Sequence, residues 1–159
     1  MTELLIPAEM QFCRLSMADI DEILAIEERV YAHPWSRGNF SDSFINQDLA
    51  FGLRDSAGQL RAYFILMAVV DEAHILTIAV DTDWQGRGYA RCLLACIEQI
   101  TLSENMQAVL LEVRRSNQRA QQVYLAAGYQ QIGLRRGYYP SADGREDAIV
   151  MRKVLTGVA

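Results

Sequence analysis

The chain has 159 residues, 51% of them hydrophobic, and a formal net charge of −5. That is enough apolar material for one good core, so a single domain over 1–159 is expected, while the negative balance argues against nucleic acid as a ligand. No apolar run is long enough to span a membrane, and MTELLIPAEMQF lacks the basic-then-apolar pattern of a secretory leader, so a cytoplasmic protein is expected.

In chain order, QFCRL reads as a short strand. SMAD has capping-box spacing, and Ile20, Ile23, Leu24 and Glu27 continue a helix to about Val30. Pro34 in AHPWS disfavours helix at His33, and Ser36 is placed to cap a second short helix through RGNFSDSFI. LAFGLRD and QLRAYFILMAVV flank the turn SAGQ as a hairpin, and a turn near DEA leads to the apolar strand HILTIAV. After DTDWQGRGYA, residues Ala90, Leu93, Leu94, Ile97 and Ile100 fall at helical spacing. AVLLEVR is then a strand, NQRAQQVYLAAG a helix closed by Gly128, and YQQIGLRRGYY and DAIVMRKVL two closing strands. This order predicts a mixed α/β (α+β) domain with a single central sheet. Cys13, Cys92 and Cys96 have no metal-site spacing and are read as reduced core thiols, and no metal is expected. His74 opens a strand with no partner motif and is assigned no role.

DTDWQGRGYA lies where a strand turns into a helix. A helix start presents unpaired N–H groups and the positive end of its dipole, which suits phosphate oxygens. Gly86, Gly88 and Ala90 let a ligand approach the backbone. The spacing is not G-x-G-x-x-G, because residue 91 is Arg, and no G-K-[ST] makes a Walker loop. Taken alone, these glycines fit a phosphate cradle and a plain tight turn equally.

The segment also fits a more specific pattern. QGRGYA resembles the Q/R-x-x-G-x-G/A motif of the GCN5-related N-acetyltransferase (GNAT) superfamily, with Gln85, Gly88 and Ala90 in the key places. LEVRRSNQRAQQVYLAAGY resembles that superfamily's later motif, an acidic residue on a strand followed by Asn and Tyr at the next helix. HPWS, LEVRRSN, YY and DGREDAIVM together resemble the bacterial ribosomal-protein alanine N-acetyltransferases, from about Arg14 to Lys153. Ala90 stands where those relatives often have Gly, within the motif's tolerance. The resemblance implies the GNAT fold, a single mixed central sheet with helices on both faces. It implies acetyl-CoA as cosubstrate and direct transfer in a ternary complex. The implied acceptor is the N-terminal alanine of a small-subunit ribosomal protein, and the enzyme is expected to be monomeric or weakly associating. An α-amine, with a pKa of about 7.7–8.0 against about 10.4 for lysine, is the easier nucleophile. Lysine or small-amine acetylation and a non-catalytic CoA-binding module are the competing readings; a dinucleotide-binding domain fits least, because the third glycine is missing.

Two residues are candidates for the chemistry. On VLLEVR, Val109, Leu111 and Val113 share one face, and Leu110 and Glu112 share the other. A carboxylate in so apolar a strand is partly desolvated, which suits a general base, but an ion pair to Arg114 or Arg135 would look the same. The resemblance places the base at Glu112, acting directly or through a water. Tyr124 neighbours the apolar Ala120 and Val123 and reads on its own as a core tyrosine; the resemblance makes it the proton donor to the departing thiolate. Asn117 is placed as an N-cap, to which the resemblance adds a cofactor contact.

The resemblance also assigns the binding residues. Backbone groups of Ile78, Ala79 and Val80 would hold the acetyl and pantetheine portions, in a splay beside TIAV. Gln85, Gly86, Gly88, Tyr89 and Ala90 would form the pyrophosphate loop, with Arg87 and Arg91 adding charge. Trp35 reads as core filler after Pro34, or, with Tyr138 and Tyr139, as the wall of a peptide groove. Asp143, Glu146 and Asp147 of the RRGYYPSADGRED loop would then offer negative charge to a basic N-terminal segment.

Overall fold

The elements run β1 (Gln11–Arg14), α1 (Ile20–Val30), α2 (Arg37–Ile45), β2 (Leu49–Arg54), β3 (Leu60–Val69), β4 (Glu72–Val80), α3 (Tyr89–Ser103), β5 (Ala108–Arg114), α4 (Gln118–Ala126), β6 (Gln130–Ser141) and β7 (Gly144–Val154). Short 3-10 turns lie at Met17–Asp19 and Thr82–Trp84. The structure, a computed structural model, describes residues 6–155; both ends of the expected 1–159 domain, including the first residues of MTELLIPAEMQF, lie outside the described residues. The element order is the one expected, and the strands form one mixed sheet in the order β1-β2-β3-β4-β5-β7-β6. Among the described residues no helix is long and apolar enough to cross a membrane.

The chain forms two compact units. The first takes the chain to Met67 and again Leu76–Gln99; the second takes Ala68–Ile75 and the chain from Ile100. In the first unit β1, β2 and β3 are antiparallel neighbours. The Ser16 N–H donates to the Asp19 carboxylate at 2.8 Å, fixing the chain's entry into α1. Ile20, Ile23 and Ile26 then form a single stripe that is buried with Phe40 of α2 and Tyr63 and Ile65 of β3. Each such side chain contributes about 1.5–3 kcal/mol by leaving water. The Ser36 hydroxyl accepts from the Asn39 N–H at 3.1 Å and starts α2, as its sequence position predicts.

In the second unit β5 pairs antiparallel with β7 from Ala108↔Val154 to Arg114↔Ala148, and the start of β4 pairs parallel with β5 from Glu72↔Ala108 to His74↔Leu110. Val109, Leu111 and Val113 are buried, while Leu110, Glu112 and Arg114 on the opposite face are partly exposed. Asn117 caps α4 by accepting from the Ala120 N–H at 3.1 Å. Gly128 ends that helix at φ +98, where a Cβ would lie 3.1 Å from Lys153 Cε. Only glycine suits that conformation and leaves room for Lys153 Nζ to donate to the Ala127 carbonyl at 2.7 Å.

One expectation is corrected here. DGRED is not a loop: β7 begins at Gly144, so Glu146 and Asp147 are strand residues and only Asp143 of the three acids sits in the turn. Between Arg135↔Ala148 and Tyr139↔Glu146, β6 advances four residues (135 to 139) while β7 advances two (148 to 146). The surplus residues bulge from the ladder, with Gly137 at φ +57. Asp147 accepts the Gly137 N–H at 2.9 Å, and Arg145 donates to the Gly137 and Tyr138 carbonyls at 2.8 and 3.0 Å. Asp147 is therefore spent on holding the bulge, because a two-residue irregularity leaves backbone groups that strand pairing cannot satisfy.

Candidate active site

In the first unit the segment after β4 turns sharply through Gly86 (φ +77) and Gly88 (φ +87), a backbone that side-chain-bearing residues rarely adopt. A Cβ at either position would meet nothing within 4 Å, so the loop is open on that side. Trp84 N–H donates to the Asp81 carbonyl and Gln85 N–H to the Thr82 carbonyl; the next N–H with an acceptor is that of Cys92, on the Gly88 carbonyl. The consecutive N–H groups from Gly86 to Arg91 thus donate to no acceptor among the described residues. A left-handed glycine loop running into a helix start with free donors is suited to a diphosphate, so the residues present fit the pyrophosphate of acetyl-CoA.

The supports of this loop were only partly foreseen. The Gln85 amide donates to the Val80 carbonyl at 3.0 Å and ties the loop back to β4. Tyr31 donates its hydroxyl to the Ile78 carbonyl. Arg87 donates to the Asp83 carbonyl at 3.1 Å and lies over the Trp84 ring at 4.7 Å, while Arg61 covers the same ring at 4.9 Å. Tyr89 is buried, with its hydroxyl 3.2 Å from Glu9, so only its backbone belongs to the run of free donors. Asp81, 4% exposed, ends β4 and receives Arg29 (2.9 and 3.0 Å), Arg61 (3.2 Å) and the Thr82 N–H (2.9 Å). Burial opposes its charge, but the two guanidiniums and that N–H outweigh it and hold the carboxyl below the usual carboxylate range.

Sequence reasoning placed Glu27 on the apolar stripe of α1 and gave it no role. It is 3% exposed, and its carboxylate accepts from Tyr63 OH, from Thr77 OH at 2.9 Å and from the Trp35 N–H at 3.0 Å. Burial, then the Glu27 carboxylate, push the Tyr63 phenol well above its ordinary range. Trp35 is tied down by this bond and packs on Phe40 with ring centroids 5.1 Å apart, so it lies against the core of the first unit. The signal was visible: an acid on a helix's core face must find buried donors.

The second unit brings Glu112 together with Arg135, Tyr138 and Tyr139. Glu112 is 20% exposed; its Oε1 stands 3.8 Å from Arg135 Nη1, and its Oε2 is buried with no hydrogen-bond partner among the described residues. Arg114, the other arginine considered, is engaged elsewhere: it donates to Glu146 at 2.9 Å and to the Pro140 carbonyl at 2.7 Å, over the Tyr139 ring at 4.5 Å. Arg114 and the Ser116 N–H hold the Glu146 carboxyl below the usual range. Tyr138 and Tyr139 meet edge to face with centroids 4.9 Å apart. Burial, then the Glu112 carboxylate, push the Tyr139 phenol far above its ordinary value, with Tyr124 adding in the same sense. Tyr124 on α4 packs edge-on against Tyr129, and burial pushes its phenol up to about 12. An acid that weak stays protonated at neutral pH and so has a proton to donate.

Comparison with known proteins identifies the family. The acetyltransferase (GNAT) family model matches residues 18–129. The [ribosomal protein bS18]-alanine N-acetyltransferase of Escherichia coli K12 is 38% identical over 137 residues, covering 86% of this chain and 92% of the relative. The enzyme of that name from Haemophilus ducreyi is 34% identical over 142 residues, covering 86% of this chain and 94% of the relative. The crystal structure of the ribosomal-protein-S18-alanine N-acetyltransferase from Escherichia coli superposes with a TM-score of 0.87 at 35% identity, covering 94% of this chain and 96% of that one. The mixed sheet with its four α-helices is the GNAT fold, and the chain belongs to the acetyltransferase (GNAT) family.

Proposed function

We propose that this chain is an acetyl-CoA-dependent N-terminal acetyltransferase that modifies the N-terminal alanine of a small-subunit ribosomal protein, working as a cytoplasmic monomer with 1–159 as one domain. The substrate assignment is supported by relatives of that name, which match this chain across most of both lengths. The observation that carries the chemistry is the partly exposed Glu112 carboxylate, with one oxygen that has no hydrogen-bond partner among the described residues, on a strand otherwise apolar up to Arg114.

Acetyl-CoA, when bound, supplies an acetyl group already activated as a thioester. The N–H groups of Gly86 to Arg91 would hold its diphosphate, with Arg87 and Arg91 adding positive charge and Gln85 keeping the loop on β4. Backbone groups of Ile78, Ala79 and Val80 would hold the pantetheine arm, and Asn117 would add a contact beside its capping bond. The Glu112 carboxylate takes a proton from the substrate's α-ammonium, directly or through one water. An α-amine near pKa 8 needs only such a modest base. The freed amine attacks the acetyl carbonyl, Tyr124 gives its phenol proton to the sulfur as the C–S bond breaks, and the second proton lost by the nitrogen restores the phenol through solvent. Tyr138 on the bulge and Tyr139 beside it offer the peptide flat apolar surface, and Trp35 is assigned a second peptide contact.

The test is thiol release from acetyl-CoA with two short basic peptides of matched sequence. One begins with a free alanine amine; the other is N-acetylated and carries an internal lysine. Release with the first alone is expected. Release with the second reassigns the enzyme to lysine acetylation, and tight acetyl-CoA binding without release from either contradicts the proposal.

A further inference from the structure

We propose that Tyr31 is a positioning residue for the cofactor: its hydroxyl ties down the Ile78 carbonyl and so leaves the outer edge of β4 presenting N–H donors to the pantetheine arm. This rests on the reading of that edge as the seat of acetyl-CoA.

One bond sets the direction of the backbone groups. The N–H and C=O of a strand residue point to the same edge, and successive residues alternate between the two edges. Asp81, just past the end of β4, donates its N–H to the Arg61 carbonyl of β3 at 2.8 Å. Asp81 and Ala79 therefore turn toward β3, and Val80 and Ile78 turn toward the opposite edge. Among the described residues β4 pairs with β5 from Glu72 to His74 and no further, so strand pairing does not occupy that edge at Ile78 and Val80. Of the three residues assigned to the arm, these two present their backbone groups outward.

Both outward carbonyls are nonetheless taken. The Gln85 amide donates to the Val80 carbonyl at 3.0 Å, and the Tyr31 hydroxyl donates to the Ile78 carbonyl. What this edge then offers is the N–H of each residue. The matching group is a carbonyl oxygen, and the pantetheine arm carries one in its thioester and one in each of its amides.

Tyr31 is held in place for this bond. It caps the end of α1, where its N–H donates to the Glu27 carbonyl at 2.9 Å, and its ring packs against the buried cluster that contains Ile23, Ile26 and Tyr63. One turn earlier on α1, the Glu27 carboxylate accepts from the hydroxyl of Thr77, the residue before Ile78, at 2.9 Å. The last turn of α1 thus grips two consecutive β4 residues, one through its side chain and the other through its main chain. The Glu27 bond lies within the core, whereas the Tyr31 bond acts on a backbone group of the outer edge. Packing alone does not require that hydroxyl, because a phenylalanine ring fills the same space.

The test is calorimetric titration of Tyr31→Phe with acetyl-CoA and with ADP, alongside steady-state kinetics and thermal unfolding, on the intact chain. ADP carries a diphosphate for the glycine loop and has no arm to meet β4. Tyr31→Phe should weaken acetyl-CoA binding about 5-fold, because the released Ile78 carbonyl then faces the arm's own oxygens. The ADP Kd, the peptide KM and kcat at saturating acetyl-CoA should be unchanged, and the unfolding midpoint should fall by no more than about 4 °C. An unchanged or tighter acetyl-CoA Kd overturns the proposal. So does a parallel loss of acetyl-CoA and ADP affinity, which is what a general loosening of the first unit gives. A wild-type chain that binds no acetyl-CoA would instead remove the cofactor reading, an outcome visible without the variant.

Discussion

Glu27 and Glu112 have the same signature in the sequence, an acid among apolar residues of a periodic element, and opposite surroundings in the fold. Glu27 in the first unit accepts from a phenol, a hydroxyl and a backbone N–H, so its carboxylate is fully used. Glu112 in the second has a cation 3.8 Å from one oxygen and, among the described residues, no hydrogen-bond partner for the other. A buried polar group that is satisfied holds structure together, and one that is not is costly unless a ligand completes it. The two glutamates therefore predict two kinds of mutant, one that fails to fold and one that folds without working.

The largest stability effect belongs to the first region. Glu27→Ala leaves the Tyr63 and Thr77 hydroxyls and the Trp35 N–H without an acceptor, at about 1–3 kcal/mol each. Denaturant unfolding should show a loss of at least about 3 kcal/mol, while kcat per folded molecule changes far less. A folded Glu27→Ala enzyme that has lost turnover would erase the distinction.

Tyr124→Phe should sharpen it from the other side. Removing the phenol proton should lower kcat by about 10²-fold with no change in unfolding midpoint. Because burial holds that phenol at about 12, above its ordinary value, the proton is retained as pH rises past 10. The wild-type rate should not fall between about pH 8.5 and 10.5 on account of Tyr124. A basic limb in that range that vanishes in Tyr124→Phe would contradict the assignment.

Asp81→Asn gives the smallest effect, about 1–3 kcal/mol of stability at neutral pH. The Asp81 carboxyl is held below its ordinary value, so the ionised form stabilises the fold above the unfolded-state value and that stability is lost as pH falls through the folded one. The gap between wild type and Asp81→Asn should therefore close below about pH 4. A gap constant with pH would mean that the two arginines contribute packing and not charge.

How much of this was legible depends on the range of the interactions. The caps at Ser36 and Asn117, the break after Val30 and the stop at Gly128 are local, and a few neighbouring residues determine each. The glycine loop was legible as a motif, though the run of free N–H groups that gives it purpose depends on how Gln85 and Asp81 anchor it. The Glu27 network joins residues far apart in the chain, Thr77 and Tyr63 among them, and no spacing reveals it. The β6 bulge was hidden too, because alternation along GLRRGYYPS carries no sign of two surplus residues. That is why an acidic loop was expected where Glu146 and Asp147 are strand residues already paired. For the same reason Arg114 and Arg135 looked equivalent as partners of Glu112, and only the cross-strand register separates them.

The most direct measurement is kcat and unfolding free energy of Glu112→Gln, side by side with wild type, on a peptide with a free N-terminal alanine. The account predicts a fall of about 10²–10⁴ in kcat with stability nearly unchanged, since a carboxylate held only by an exposed ion pair adds little to the fold. A Glu112→Gln enzyme that turns over normally, or one that is inactive only because it unfolds, would contradict it.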